Sequence, residues 1–66
     1  MINYVKEIRV SLGMTQQELG DLLNVSRQTI FSIETGKYVP STILSLKISK
    51  IFNKSVEEVF VLEEND

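Results

Sequence analysis

Apolar residues along this chain recur every three or four positions in four runs, and short polar segments separate the runs. This spacing places the apolar side chains of each run on one face of an α-helix, so the pattern predicts four helices with one buried face each. Gly13 and Gly36 lie where the first and third helices would end. The runs consist of Val5, Ile8 and Leu12; Leu19, Leu22 and Leu23; Ile30 and Ile33; and Ile43, Leu44, Ile48, Ile51 and Phe52.

Residues that favour helix N-termini precede the later runs. Thr15-Gln16-Gln17-Glu18 has the form of a capping box, in which the first and last side chains each bond the other residue's backbone amide. Ser26, Ser41 and Ser55 are predicted to cap the third, fourth and a short fifth helix. Asn24 tolerates a left-handed backbone, so the second helix should end about three residues before the third begins. Two short helices joined by so tight a turn cross steeply, as in a helix-turn-helix.

Length and composition exclude several classes of function. The 66 residues allow one domain, residues 1–66, with no room for a ligand-sensing module, so no small-molecule ligand is expected. Neither cysteine nor histidine is present, which removes the usual zinc ligands and the commonest general base. We therefore expect no metal, no cofactor and no enzymatic activity. With no secretion signal and no apolar run of the ~20 residues that a membrane span needs, we predict a cytoplasmic protein without membrane contact.

The net charge of −2 averages two unlike parts of the chain. Residues 1–56 carry seven basic and four acidic side chains, so this part is mildly basic. Residues 57–66 carry five acidic side chains and no basic one. The acidic end is therefore expected to lie away from nucleic-acid phosphates.

The segment from Thr15 to Gly36, TQQELGDLLNVSRQTIFSIETG, resembles the helix-turn-helix of the phage repressor and Cro family. The resemblance continues through residues 37–41 and the fourth helix, and VSRQTI is typical of small bacterial and archaeal regulators. It implies a compact five-helix, all-α domain of the lambda-repressor type, here with a short C-terminal β-segment. It further implies a sequence-specific regulator of transcription that binds double-stranded DNA, with the third helix in the major groove and the second across the backbone.

If the third helix enters the major groove, as the resemblance implies, three of its polar residues are expected to contact bases. Arg27, Gln28 and Ser32 lie opposite Ile30 and Ile33, so they project away from the core. Arginine can donate two hydrogen bonds to guanine, and glutamine can bond adenine in the same two-point manner. Without the resemblance, a solvated polar face would be the simpler interpretation.

Five further residues are expected to contact the DNA backbone and so to position the protein. Gln16 begins the second helix, where free amides and the helix dipole favour a phosphate oxygen. Thr29 could instead serve only in capping, and Tyr38 could cover Phe52. The five residues are Gln16, Thr29, Lys37, Tyr38 and Ser41.

The resemblance also assigns structural roles. Arg9 and Glu34 match a pair that forms a partly buried salt bridge between the first and third helices in this family. Gly20 stands where alanine is usual, and either residue is expected to be small enough for the second and third helices to approach. Phe31 stands where the family commonly has a small or polar residue. Packing against the fourth helix or a partner chain, and contact with a thymine methyl group, both remain open for its ring.

One module offers few DNA contacts, so the family pairs two copies on a palindromic site, with half-sites about 34 Å apart. We expect residues 59–63 to form the dimer interface, through Val59, Phe60, Val61 and Leu62. In a strand, Phe60 and Leu62 would share one face, with residues 1–3 as a possible neighbour. The alternative is that these side chains close the core of their own chain. A second functional hypothesis is an antitoxin that neutralises a partner toxin and regulates its own operon, rather than a simple repressor.

Overall fold

The computed structural model describes residues 1–66 and contains five helices and one two-stranded sheet. This architecture confirms the predicted all-α domain with a short β-segment near its C-terminal end. None of the helices combines the length and apolar composition that crossing a bilayer requires. In chain order the elements are β1 (Ile2–Asn3), α1 (Val5–Ser11), α2 (Gln16–Leu23), α3 (Arg27–Glu34), α4 (Thr42–Phe52), α5 (Val56–Val59) and β2 (Phe60–Val61).

The predicted caps fix where the helices begin. Thr15 and Glu18 form the complete capping box, with Thr15 Oγ accepting from the Glu18 amide at 3.0 Å and the Glu18 carboxylate accepting from the Thr15 amide at 2.8 Å. Ser26 and Ser41 accept from the amides three residues ahead in the same way. A second capping box begins α5 at Ser55, whose backbone amide donates to the Glu58 carboxylate and lowers its pKa. These side chains satisfy amides that a helix start leaves unpaired.

Ten apolar side chains from all five helices and β2 form the core. Leu12, Leu22 and Ile43 were expected in it but are exposed. Helix α1 ends at Ser11, which leaves Leu12 outside it. The other two lie beside the buried stripes of α2 and α4 rather than within them, because no other element covers that side of either helix. The core consists of Val5, Ile8, Leu19, Leu23, Ile30, Ile33, Ile48, Phe52, Val59 and Phe60.

The terminal segments of the chain pair with each other. Strands β1 and β2 are antiparallel, with Ile2 opposite Val61 and Asn3 opposite Phe60. The ammonium group of Met1 lies 2.8 Å from a Glu63 carboxylate oxygen and 3.0 Å from one of Asp66. Hydrogen bonds from the ammonium group, chiefly to Glu63 and also to Asp66, raise its pKa. The pairing holds both ends of the chain against the same side of the core.

The C-terminal β-segment is shorter than the sequence suggested. Val59 is the last residue of α5, and β2 ends at Val61. Val59 and Phe60 are buried in the core of their own chain, whereas Leu62 lies beyond the strand and is 77% exposed. The expected shared face of Phe60 and Leu62 required a strand that includes both residues, and Leu62 lies outside it, so that part of the prediction is wrong. Because α5 runs from Val56 to Val59, only Phe60 and Val61 are left to pair with β1.

Gly20 packs closely against the turn between α2 and α3. A Cβ atom at this position would lie 2.8 Å from the carbonyl oxygen of Val25, and the Val25 amide donates to the Gly20 carbonyl at 2.9 Å. The expectation that alanine would fit equally well is therefore wrong, because a backbone atom that is fixed by this turn would have to move.

Replacing Gly20 by valine is expected to lower the free energy of unfolding by about 2 kcal/mol, because overpacking forces the turn away from α2. Urea unfolding followed by circular dichroism measures the loss. Leu22→Val is the matched control, since it places the same side chain at an exposed position of the same helix. Equal losses for the two substitutions would contradict the close approach, because helix propensity alone favours valine over glycine at position 20.

Candidate nucleic-acid interface

Helices α2 and α3 form a rigid corner around a three-residue turn. Asn24 ends α2 in the left-handed conformation with φ of 58°, and Ser26 caps α3 immediately afterwards. Ile30 and Ile33 on the inner face of α3 are completely or almost completely buried. Because the inner face is fixed in this way, the polar face of α3 must point outward, with its N-terminal end most exposed.

The expected base-contacting residues lie on this outer face. Arg27 and Gln28 are exposed in the first turn of α3, and neither side chain has a hydrogen bond or an ion pair within the chain. They line a shallow groove together with Gln16 and Phe31. Free guanidinium and amide groups at a helix start can bond an external acceptor without first breaking an internal contact.

A second groove adjoins the first and contains more of the expected residues. Gln28, Thr29, Ser32 and Tyr38 line it, with Val25 and Leu44 as its apolar floor. The ring of Tyr38 thus borders the outer face of α3. The polar groups that the sequence assigned separately to base and backbone contacts therefore meet on one continuous surface.

The remaining backbone-contact candidates carry additional local contacts. The Thr29 hydroxyl lies 3.0 Å from Ser26 Oγ, so it takes part in the cap of α3. Ser41 Oγ accepts from the Leu44 amide at 3.2 Å, which leaves its own hydroxyl proton free to donate. The Lys37 ammonium group lies 5.9 Å from the centre of the Phe31 ring, within the range of a cation–π contact. Phe31 therefore positions a lysine at the border of the surface.

A buried ion pair fixes α3 from behind. Arg9 donates from Nε to Glu34 Oε2 at 2.7 Å and from Nη2 to Oε1 at 3.2 Å, and its Nη1 donates to the Met14 carbonyl at 2.8 Å. The Arg9 and Glu34 side chains are only 9% and 3% exposed. The two-point geometry joins α1 to the C-terminal end of α3 and so sets the orientation of the outer face.

Gln16 connects this ion pair to the surface. Its amide Nε2 donates to Glu34 Oε1 at 3.0 Å, while the residue also borders the groove next to Arg27 and Gln28. Sequence reasoning placed Gln16 at the surface but missed its bond to Glu34, because nothing local in the sequence joins positions 18 residues apart. The chain contains no cluster of three or more side chains suited to hold a metal ion.

Comparison with known proteins agrees with this geometry. A family model described as helix-turn-helix, HTH_3, matches residues 5–59. An uncharacterized HTH-type transcriptional regulator of Bacillus subtilis, YgzD, is 50% identical over 66 residues, which cover both chains completely. The competence pilus inhibition repressor of Acinetobacter baylyi is 36% identical over 61 residues, 92% of this chain and 56% of that protein.

The fold also matches a solved structure. The restriction-modification controller protein C.AhdI from Aeromonas hydrophila aligns with a TM-score of 0.76 and 25% sequence identity, covering 85% of this chain and 81% of that one. The family match spans all five helices and includes every residue of the surface described above. The chain belongs to the Cro/C1-type helix-turn-helix family of DNA-binding transcriptional regulators.

Proposed function

We propose that this protein is a repressor that binds a palindromic operator as a homodimer, with Arg27, Gln28 and Ser32 reading base edges in the major groove. The observation that carries the proposal is the pair of exposed, unpartnered side chains, Arg27 and Gln28, at the start of a helix whose other face is fixed in the core. A helix presented in this way fits the width of the major groove.

The residues around α3 supply contacts of a second kind. Gln16 at the start of α2, together with Lys37, Tyr38 and Ser41 beyond α3, can contact phosphate oxygens on either side of the inserted helix. Such contacts set the register of the protein on the duplex without reading its sequence. Thr29 combines its capping role with a hydroxyl at the same surface.

Two copies are needed because one copy offers a small contact area. A single DNA-binding module buries about 600–1,000 Å² of protein surface, and specific complexes of full affinity bury about 1,000–2,500 Å². Two copies related by a two-fold axis present two α3 helices to successive major grooves on one side of the duplex, which makes the operator palindromic. Occupying such a site beside a promoter is sufficient for repression, and one relative carries the name of a repressor.

Selection of bound sequences from random duplexes tests this proposal directly. The expected result is a site with two-fold symmetry and half-sites centred about 10 base pairs apart. Selection of a site without symmetry would contradict the homodimer, and failure to enrich any sequence would contradict specific recognition. A reporter gene placed behind the selected site should lose expression when the protein is produced, and increased expression would contradict repression.

Replacing Lys37 by alanine is expected to weaken binding equally to selected and unrelated duplexes. The slope of log K against log salt concentration should become shallower by about 0.9 for each phosphate that the variant no longer neutralises, or about 1.8 for a dimer. Fluorescence anisotropy titrations between about 50 and 200 mM salt measure this slope. Lys6→Ala on α1 is the control for total charge, and an equal change in both variants would contradict a phosphate contact at Lys37.

A further inference from the structure

Three large apolar side chains remain uncovered beside and along α4. Val39, Ile43 and Leu46 are 64%, 68% and 53% exposed, and they follow one another at spacings of four and three residues. We call these three residues the α4 ridge. Ile43 and Leu46 lie on the same side of α4, because residues three apart are neighbours on a helix surface, and Val39 lies in the loop that precedes the helix.

The α4 ridge faces away from the DNA-contacting surface but lies next to it. Leu44 lines the groove that holds Gln28 and Ser32, so this side of α4 faces α3. Ile43 and Leu46 lie about 100° and 160° around the helix from Leu44. A partner bound to the ridge would therefore leave the outer face of α3 open to DNA.

We propose that the α4 ridge is the surface through which two copies of this chain pair, and this inference rests on the homodimer of the proposed function. Apolar residues of the neighbouring segments extend the ridge. Met1, Pro40 and Val56 line a groove on one side of it, together with Leu46. A two-fold axis through this region lets the ridge of one copy pack against the same ridge of the other.

Area favours the ridge over the C-terminal segment. A stable interface takes about 600–1,000 Å² from each partner, which is roughly a sixth of the 4528 Å² of accessible surface here. The exposed side chains of the α4 ridge and the adjoining groove supply apolar surface toward this area. The four residues expected at the dimer interface supply less, because Val59 and Phe60 are buried in their own chain and only Val61 and Leu62 reach the surface. In the proposed dimer, Val61 and Leu62 therefore contribute at most to the edge of the interface.

Charge also favours a second copy as the partner. Lys47, Lys50 and Lys54 continue along the other side of the ridge, and none has an ion-pair partner within the chain. Glu58, which lines the same groove as these lysines, is exposed and has no ion-pair partner either. The chain therefore presents unpaired charges of both signs around the same apolar surface. A two-fold arrangement brings the lysines of one copy toward the acidic groups of the other.

A buried hydroxyl points to the same groove. Ser49 is 6% exposed, and its Oγ has no hydrogen-bond partner in the chain. The residue lines the groove that also contains Ile43, Leu46 and Lys50. Because buried hydroxyl groups are almost always hydrogen-bonded, the unmet bond indicates that this side of α4 lacks a contact in the single chain.

The test is the dimer dissociation constant of full-length variants, measured by sedimentation equilibrium. Ile43→Asp and Val39→Asp are each expected to raise it at least about 30-fold, because they place a charge at the centre of the interface. Folding should be retained, since both positions are exposed. At position 43 an acidic residue is also favourable, because it lies in the first turn of α4. Circular dichroism and thermal unfolding of each variant check this directly.

Leu62→Asp is the matched control and should remain as dimeric as the unsubstituted chain, because that exposed residue lies outside the ridge. The inference is overturned if both ridge variants dimerise normally, or if Leu62→Asp alone dissociates the pair. Ridge variants that stay dimeric while the selected operator is palindromic refute only the location of the interface. A chain that is monomeric at every concentration and selects an asymmetric site refutes the homodimer as well.

Discussion

Replacing Glu34 by alanine is expected to remove most of the stability of this domain. The Arg9 guanidinium would stay buried with the Met14 carbonyl as its only remaining partner, and the Gln16 amide would be left without its acceptor. A buried charge left without its partner costs about 3–5 kcal/mol. The whole free energy of unfolding of a 66-residue domain is only about 3–10 kcal/mol. Urea unfolding at 25 °C, followed by circular dichroism, measures the loss.

The double variant Arg9→Met/Glu34→Leu separates the effect of the buried charge from that of side-chain packing. Removing both charges together is expected to lower the free energy of unfolding by no more than about 1 kcal/mol, or to raise it. Apolar pairs of similar volume often replace buried ion pairs without loss of stability. Glu7→Ala, at an exposed position of α1, should change it by less than about 0.5 kcal/mol. A double variant as unstable as Glu34→Ala would contradict charge compensation as the role of the pair.

Replacing Arg27 or Gln28 by alanine is expected to weaken binding to the selected operator by about 1–3 kcal/mol per base contact, or roughly 5- to 150-fold. Binding to unrelated duplexes should change much less, because phosphate contacts dominate it. Neither substitution should alter folding, since both side chains are exposed and make no hydrogen bond within the chain. Anisotropy titrations at one fixed salt concentration, with both duplexes, measure the difference.

Arg27→Lys distinguishes base reading from simple charge. Lysine retains the positive charge but lacks the planar fork that bonds guanine at two points, so operator affinity should fall while the salt slope stays unchanged. Repeating the selection with Gln28→Ala should yield a sequence relaxed at the corresponding position of each half-site. If Arg27→Ala weakened selected and unrelated duplexes equally, Arg27 would be a phosphate contact and its assignment as a base reader would be wrong.

The helix starts and the main turn could be predicted from sequence because their causes are local. A capping hydroxyl and the amide that it accepts from lie three residues apart, as with Ser26 and Thr29, so the interaction is visible in any short window. The left-handed conformation of Asn24 likewise depends on its own side chain and its neighbours. The outward face of α3 followed from the spacing of Ile30 and Ile33, both of which are buried.

The composition of the surface could be predicted only in part. Sequence identified the polar residues that line the two grooves next to α3, but not their apolar neighbours Val25 and Leu44, nor that Gln28 borders both grooves. The bond between Gln16 and Glu34, and the position of Lys37 over the Phe31 ring, arise where separate elements meet. Local spacing carries no information on contacts of this kind, because they depend on how the helices cross.

By itself, the sequence determined the helices, their caps, the tight corner and the polar face of α3, since each depends on residues within about one or two helical turns. Only the tertiary structure decided which apolar residues enter the core and which remain outside it. Val59 and Phe60 are buried while Ile43 and Leu46 stay exposed, although all four are apolar. The physical reason is that burial depends on which elements pack together, and here β2 pairs with β1 from the opposite end of the chain.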